Sequence, residues 1–146
     1  MGLIKKFSGK KIFLDTAPII YFIEENPAYI TRLEKLFNAN AEGLFIFSTS
    51  VITLIEVLIH PLKNDKVELS EQYSNILCYS PSIEMLDINA DIAKNAAKIR
   101  AKYGFKTPDA IQLASALQSG SDFFITNDNQ LNKFKELKVV LVDQLT

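Results

Sequence analysis

Lys11-Ile12-Phe13-Leu14-Asp15-Thr16 is an apolar run that ends abruptly on a carboxylate. A run without polar alternation reads as a strand buried on both faces, as the strands of a parallel sheet are. In an open parallel sheet ligands bind beyond the carboxyl ends of the strands, so an acid at this end is aimed into the crevice. Asp15 or Thr16 also suits the cap of a following helix, and the pair alone does not separate the two roles. Three further stretches each supply an acid at a comparable place.

Working outward, Ala17-Pro18-Ile19-Ile20-Tyr21-Phe22-Ile23 starts a helix, with Pro tolerated in the first turn, and Asn26-Pro27 breaks it. Residues 28–38 carry Ile30, Leu33, Leu36 and Phe37 at helical spacing. Leu44 to Phe47 reads as a second buried strand, followed by Ser48-Thr49-Ser50 as helix caps and a helix through about Ile59, stopped before Pro61. Glu56 is the single charge in the nine residues from Val51 to Ile59, which suggests either a narrow solvent edge shared with Thr53 and His60 or a carboxylate at a cleft rim. The only histidine, His60, reads as peripheral.

Val67 to Tyr79 predicts a helix and Ile83 to Ile88 a strand. Asn89 then caps a helix to about Lys102 that Gly104 closes. Thr107-Pro108-Asp109 is a helix start, with Thr107 as the cap, Pro108 in the first position and Asp109 in the first turn. Asp122 to Asp128 repeats the opening design of aromatic and branched residues followed by an acid. A short helix from Gln130 to Leu137 and a strand from Val139 to Val142 complete the chain. Strands alternating with helices predict an α/β fold, a three-layer α/β/α sandwich on a central parallel sheet, as a single domain over residues 1–146.

Composition narrows the function. At 146 residues and 48% hydrophobic the chain can bury a core without metal or disulfide staples. Its lone cysteine, Cys78, forms no internal disulfide, and no Cys/His spacing resembles a zinc site, which suits a reducing cytoplasm. No apolar stretch is long enough for a signal peptide or a membrane span, and Lys6 stands where a myristoylation motif needs Ser or Thr. A net charge of −1 argues against a protein that coats DNA. It still allows an enzyme that grips phosphates through bound cations, with the basic stretch Lys5, Lys6, Lys10 and Lys11 as a local patch or a solvated flank.

Asp15, Glu56, Asp109 and Asp128 can all reach the carboxyl edge of such a sheet, and their motifs contain no balancing Arg or Lys. Converging carboxylates repel one another, so the cluster implies a cation. Oxygen-only ligands fit Mg²⁺ or Mn²⁺, and the matching chemistry is metal-assisted phosphodiester hydrolysis. Thr16 and Thr126 offer hydroxyls, and Asn127 an amide, to position water or phosphate.

The Asp15-Thr16 strand end, the helix leading to Glu56, Thr107-Pro108-Asp109-Ala110 and Ile125-Thr126-Asn127-Asp128 together resemble the PIN-domain nucleases, in that family's order and approximate spacing, from Ile12 to about Leu145. The resemblance implies that Asp15, Glu56, Asp109 and Asp128 are the acidic metal-binding quartet. Chains of this length resemble the VapC-type toxins of toxin–antitoxin pairs, which implies a cytoplasmic Mg²⁺-dependent endoribonuclease that cuts RNA, forms a homodimer and is inhibited by a small antitoxin protein. Alternatives are an RNA-processing nuclease without antitoxin and a PIN-like binding module that lacks catalysis. Ala17 departs from the pattern, since many relatives carry Asn there. A phosphoaspartate protein also sets an acid after its first strand, but Thr16 and Ala17 stand where its further acids belong.

Overall fold

In a computed structural model that describes residues 2–145, every strand is parallel to its neighbours. Met1 and Thr146, the ends of the expected domain, lie outside the described residues. The strands β1 (Lys11–Leu14), β2 (Ile46–Ser50), β3 (Ile83–Leu86), β4 (Phe123–Thr126) and β5 (Lys138–Leu141) form one sheet in the order β3-β2-β1-β4-β5. Between them run six helices: α1 (Thr16–Ile23), α2 (Ile30–Ala41), α3 (Val51–Lys63), α4 (Val67–Tyr79), α5 (Ala90–Tyr103) and α6 (Thr107–Gln118).

The period of two along each strand sorts the core into two layers. Ile12 and Leu14 of β1, Ile125 of β4 and Val140 of β5 point to the face covered by α1 to α4, against Ile19, Leu33, Val57 and Tyr73. Phe13, Phe124 and Val139 point to the other face, against Ile92, Ile99 and Leu113 of α5 and α6. The apolar runs of β1 and β4 therefore lack alternation because both faces are buried. In the expected buried strand from Leu44 to Phe47, by contrast, only Phe45 and Phe47 are buried, and Leu44 and Ile46 are exposed. The α/β/α sandwich expected from the sequence is the observed fold.

Strand order also fixes where a site belongs. The chain leaves β1 towards β2 and β3 on one side, then crosses back through α5 and α6 to place β4 on the other side of β1. The carboxyl ends of β1 and β4 thus flank the point where the winding reverses, which opens a crevice.

Local boundaries depart from expectation in several places, among them the end of β3 at Leu86 rather than Ile88. β2 extends through Ser48, Thr49 and Ser50, all buried, because Thr49 pairs with Met85 and Ser50 with Leu86 of β3; only Ser50 caps the next helix. Pro61 does not stop α3; it lies buried inside it, and Asn64 closes the last turn by donating its backbone N–H and its side-chain amide to the His60 carbonyl. Lys106, not Thr107, is the cap residue of α6, since its carbonyl accepts the first helical bond from the Ala110 N–H at 3.0 Å. The expected helix from Gln130 is a 3-10 turn over Asn129–Lys133, after which buried Phe134 adopts an extended conformation.

Phe13 is fully buried in the central strand and stacks on Phe124 with ring centroids 5.3 Å apart and planes within 4°. Phe13→Ala is expected to lower the unfolding free energy by about 3–5 kcal/mol, measured by urea denaturation. A loss below about 1 kcal/mol would contradict this placement of the core.

Candidate active site

Each acid reaches the crevice by a different local route. Asp15 directly follows β1, whose register continues through the Asp15 N–H bonded to the Ile125 carbonyl at 3.0 Å. It caps α1 by accepting from the Thr16 N–H at 2.9 Å, so it has both roles weighed for it in the sequence. Asp128 follows β4 by two residues and accepts from the Gln130 N–H at 2.9 Å, capping the 3-10 turn. Asp109 lies in the first turn of α6, where the helix dipole favours negative charge. Glu56 lies in the second turn of α3.

All four line one cleft of about 730 Å³ together with Thr16, Ala17, Thr126 and Asn127. Every acid, hydroxyl and amide singled out from the sequence as a metal, water or phosphate ligand therefore lines this cleft, whereas Lys5, Lys6, Lys10 and Lys11 do not. His60 is not; it is exposed and engages Asn64.

A hydrogen-bond network that runs from the cleft into the core, which reasoning from the sequence missed, orients these acids. Thr126 Oγ1 donates to Asp15 Oδ2 at 2.8 Å and accepts from the Asp128 N–H at 3.1 Å, linking two acids through one hydroxyl. Thr16 Oγ1 donates to Glu56 Oε1 at 2.5 Å and lies 3.4 Å from Thr53 Oγ1. Thr53 in turn accepts from Gln112 Nε2 at 2.6 Å, and Gln112 accepts from Ser50. Thr53, Gln112 and Ser50 are buried with every polar atom paired among the described residues. Gln112 sits three residues after Asp109, on the same helix face, amid Ala110, Leu113 and Ala114. A lone amide within such an apolar run was the available signal.

The electrostatics follow from crowding and burial. Burial lifts the Asp15 carboxyl from its ordinary 3.8 to about 6; the bonds from Thr126 and the Thr16 N–H pull it down, while the charges of Asp109 and Glu56 push it up. Asp109 is raised by burial first, then by Asp128 and Glu56, with Lys106 opposing. Each member of the quartet thus interacts with at least one other acid.

Among the described residues, no three acidic, imidazole or thiol groups enclose an ion by themselves. The donor chemistry nevertheless fits Mg²⁺ or Mn²⁺. Such ions keep several waters and bind through one or two carboxylates plus substrate phosphates rather than in an all-protein cage.

The PIN domain sequence model matches residues 12–137, most of the 146-residue chain. The chain belongs to the PIN domain family. Solved PIN-like structures superpose over nearly all of it. VapBC2 from Rickettsia felis, bound to a DNA fragment from its promoter, matches with TM-score 0.70 at 17% identity, covering 90% of this chain and 98% of that one. FitAcB from Neisseria gonorrhoeae matches with TM-score 0.69 at 19% identity, covering 92% and 99%. VapC20 from Mycobacterium tuberculosis, a sarcin-ricin loop cleaving toxin, matches with TM-score 0.70 at 16% identity, covering 87% and 98%. At these identities the likeness is one of fold. No curated protein matches the sequence.

Asp15 gives the PIN cleft a measurable pH signature. Its carboxyl is raised on folding, so between about pH 4 and pH 6 the folded state binds more protons than the unfolded chain, and stability falls as pH rises through that window. The melting temperature of metal-free wild type is expected to drop relative to Asp15→Asn as pH goes from about 4 to about 7. Parallel curves for the two proteins would contradict a raised Asp15.

Proposed function

We propose that this PIN-family chain is a Mg²⁺- or Mn²⁺-dependent endoribonuclease, acting as a single cytoplasmic domain and as the toxin of a toxin–antitoxin pair. The observation that carries the reading is the set of four carboxylates on one cleft at the winding reversal of the sheet, two of them raised by burial and by their neighbours. Supporting it, a PIN-family chain with this constellation has the donor set that phosphodiester hydrolysis needs. A divalent ion at such a site lowers the pKa of a bound water and neutralises charge on phosphate oxygens.

Asp15, Glu56, Asp109 and Asp128 are the residues assigned to hold the ion. Thr126 and Thr16 have their hydroxyl protons committed to Asp15 and Glu56, so they orient the acids and can accept only from water through a remaining lone pair, with no proton left for a phosphate oxygen. Asn127 spends one amide proton on the Tyr21 hydroxyl, at 2.9 Å, and keeps the other for substrate. Ala17 lines the same cleft but brings only a methyl group.

A partner surface is supported by α3. Ile55, Ile59 and Leu62 recur at helical spacing on one stripe and are 57%, 54% and 63% exposed. An apolar stripe on a helix whose opposite side reaches the core suits a protein interface, which we assign to a homodimer, with a small antitoxin as a further partner. Among the described residues no helix is long and apolar enough to cross a membrane.

Purified protein is expected to cut single-stranded RNA with Mg²⁺ or Mn²⁺ and to stop in excess EDTA. Asp15→Asn or Asp109→Asn should reduce cleavage by at least about a hundredfold, since an amide is a poor substitute for a charged ligand. Undiminished cleavage in EDTA would end the metal mechanism. Ile59→Asp is expected to shift a dimer to a monomer in light scattering coupled to size exclusion; an unchanged dimer mass would remove α3 from the interface.

A further inference from the structure

The cleft has an aromatic wall that the acid chemistry does not use. Tyr21, near the end of α1, lines the same cleft as the four acids. Its ring stacks on that of Tyr29, with centroids 4.6 Å apart and planes 17° from parallel. The turn between α1 and α2 holds this pair in place. The Asn26 N–H donates to the Tyr21 carbonyl at 2.8 Å, and the Tyr29 N–H donates to the Asn26 carbonyl at 3.0 Å. Both rings are half-buried and pack against the edge of the core. The Tyr21 hydroxyl accepts from Asn127 Nδ2, so the ring is fastened to the residue beside Asp128.

With a net charge of −1, an aromatic surface adds affinity for nucleic acid beyond what bound cations supply. The whole chain carries −1, and the cleft carries four acids. Affinity from counterion release requires clustered Lys and Arg on the phosphates. Among the described residues, the cation that opposes the raised Asp109 carboxyl is Lys106. Base stacking on an aromatic face, by contrast, is independent of net charge and tolerant of sequence.

We infer that Tyr21, backed by Tyr29, is a stacking platform for an unpaired nucleobase next to the phosphate that the acid cluster handles. The inference rests on the nuclease reading above and makes it narrower. Bases in an A-form duplex are stacked within the helix and present no free face, so the platform engages only a base outside a duplex. Tyr29 acts as a positioning residue, since its ring stacks on that of Tyr21 and does not line the cleft.

The test is fluorescence anisotropy with a labelled single-stranded oligoribonucleotide, with Ca²⁺ in place of Mg²⁺ to hold back cleavage and RNA integrity followed on a gel. Tyr21→Leu is expected to weaken binding by roughly tenfold without changing the slope of affinity against salt, whereas Tyr21→Phe stays within about twofold of wild type. Removing single bases along the RNA supplies a readout that needs no variant. One abasic position should reproduce the roughly tenfold loss on wild type and add nothing to the loss on Tyr21→Leu. If wild type binds every abasic RNA as tightly as the intact one, or if folded Tyr21→Leu binds like wild type, the platform is overturned while the nuclease reading stands. If wild type binds no RNA at all, both fall together.

Discussion

Mutual repulsion among Asp15, Glu56, Asp109 and Asp128 is the constraint around which the carboxyl edge of this sheet is arranged. A chain gains nothing in stability by bringing acids together and burying one of them until its carboxyl titrates near 6. The cluster persists because other interactions over-determine it. Asp15 is fixed by the strand before it and the helix after it, Asp128 by a turn, and Asp109 by a small-residue helix that packs closely on α5. Glu56 is held by the Thr16 hydroxyl at the end of a buried polar chain through Thr53, Gln112 and Ser50. Such a chain rigidifies only when complete, because one unpaired buried amide would cost more than the network contributes. Stability given up at the edge in this way is the usual mark of a site shaped for function.

The sheet itself does little more than aim. Its strand order puts β1 in the centre and reverses direction beside it, so the residues following β1 and β4 face each other across a gap. The parallel ladder between β1 and β4 fixes the separation of the strand ends, and Phe13 stacks on Phe124 between paired positions of that ladder. Asp15 and Asp128 then meet across the gap through the single hydroxyl of Thr126.

Much of this was legible in the sequence because the signals were local. β1 and α4 fall where an apolar run and a helical period put them, and Asn89 and Gly104 bound α5 by their capping chemistry. The misread boundaries share a cause, which is that tertiary partners outweigh local preference. Pro61 is accommodated because the helix loses one N–H but buries a ring, and β2 continues through three hydroxyl residues because each finds a buried partner. Asp15, Asp128 and Asp109 could be named from their positions after strands and in a first turn, and Glu56 as the single charge in an apolar helix. Thr53 and Tyr21 could not, since their roles depend on neighbours 37 and 106 residues away in the chain, and the lone amide of Gln112 marked the residue but not its partner 59 residues away.

The most direct test of the cation site is a count of protons. If Mn²⁺ binds at the cluster, it must displace the proton that Asp15 retains near its raised pKa of about 6. Titration calorimetry of the metal-free protein with Mn²⁺, repeated in buffers of different ionisation enthalpy, gives that number directly. Release of about half a proton or more at pH 6, falling towards zero by pH 8, is the expected result. Mn²⁺ binding without proton release at pH 6, or no binding at all, would contradict the account.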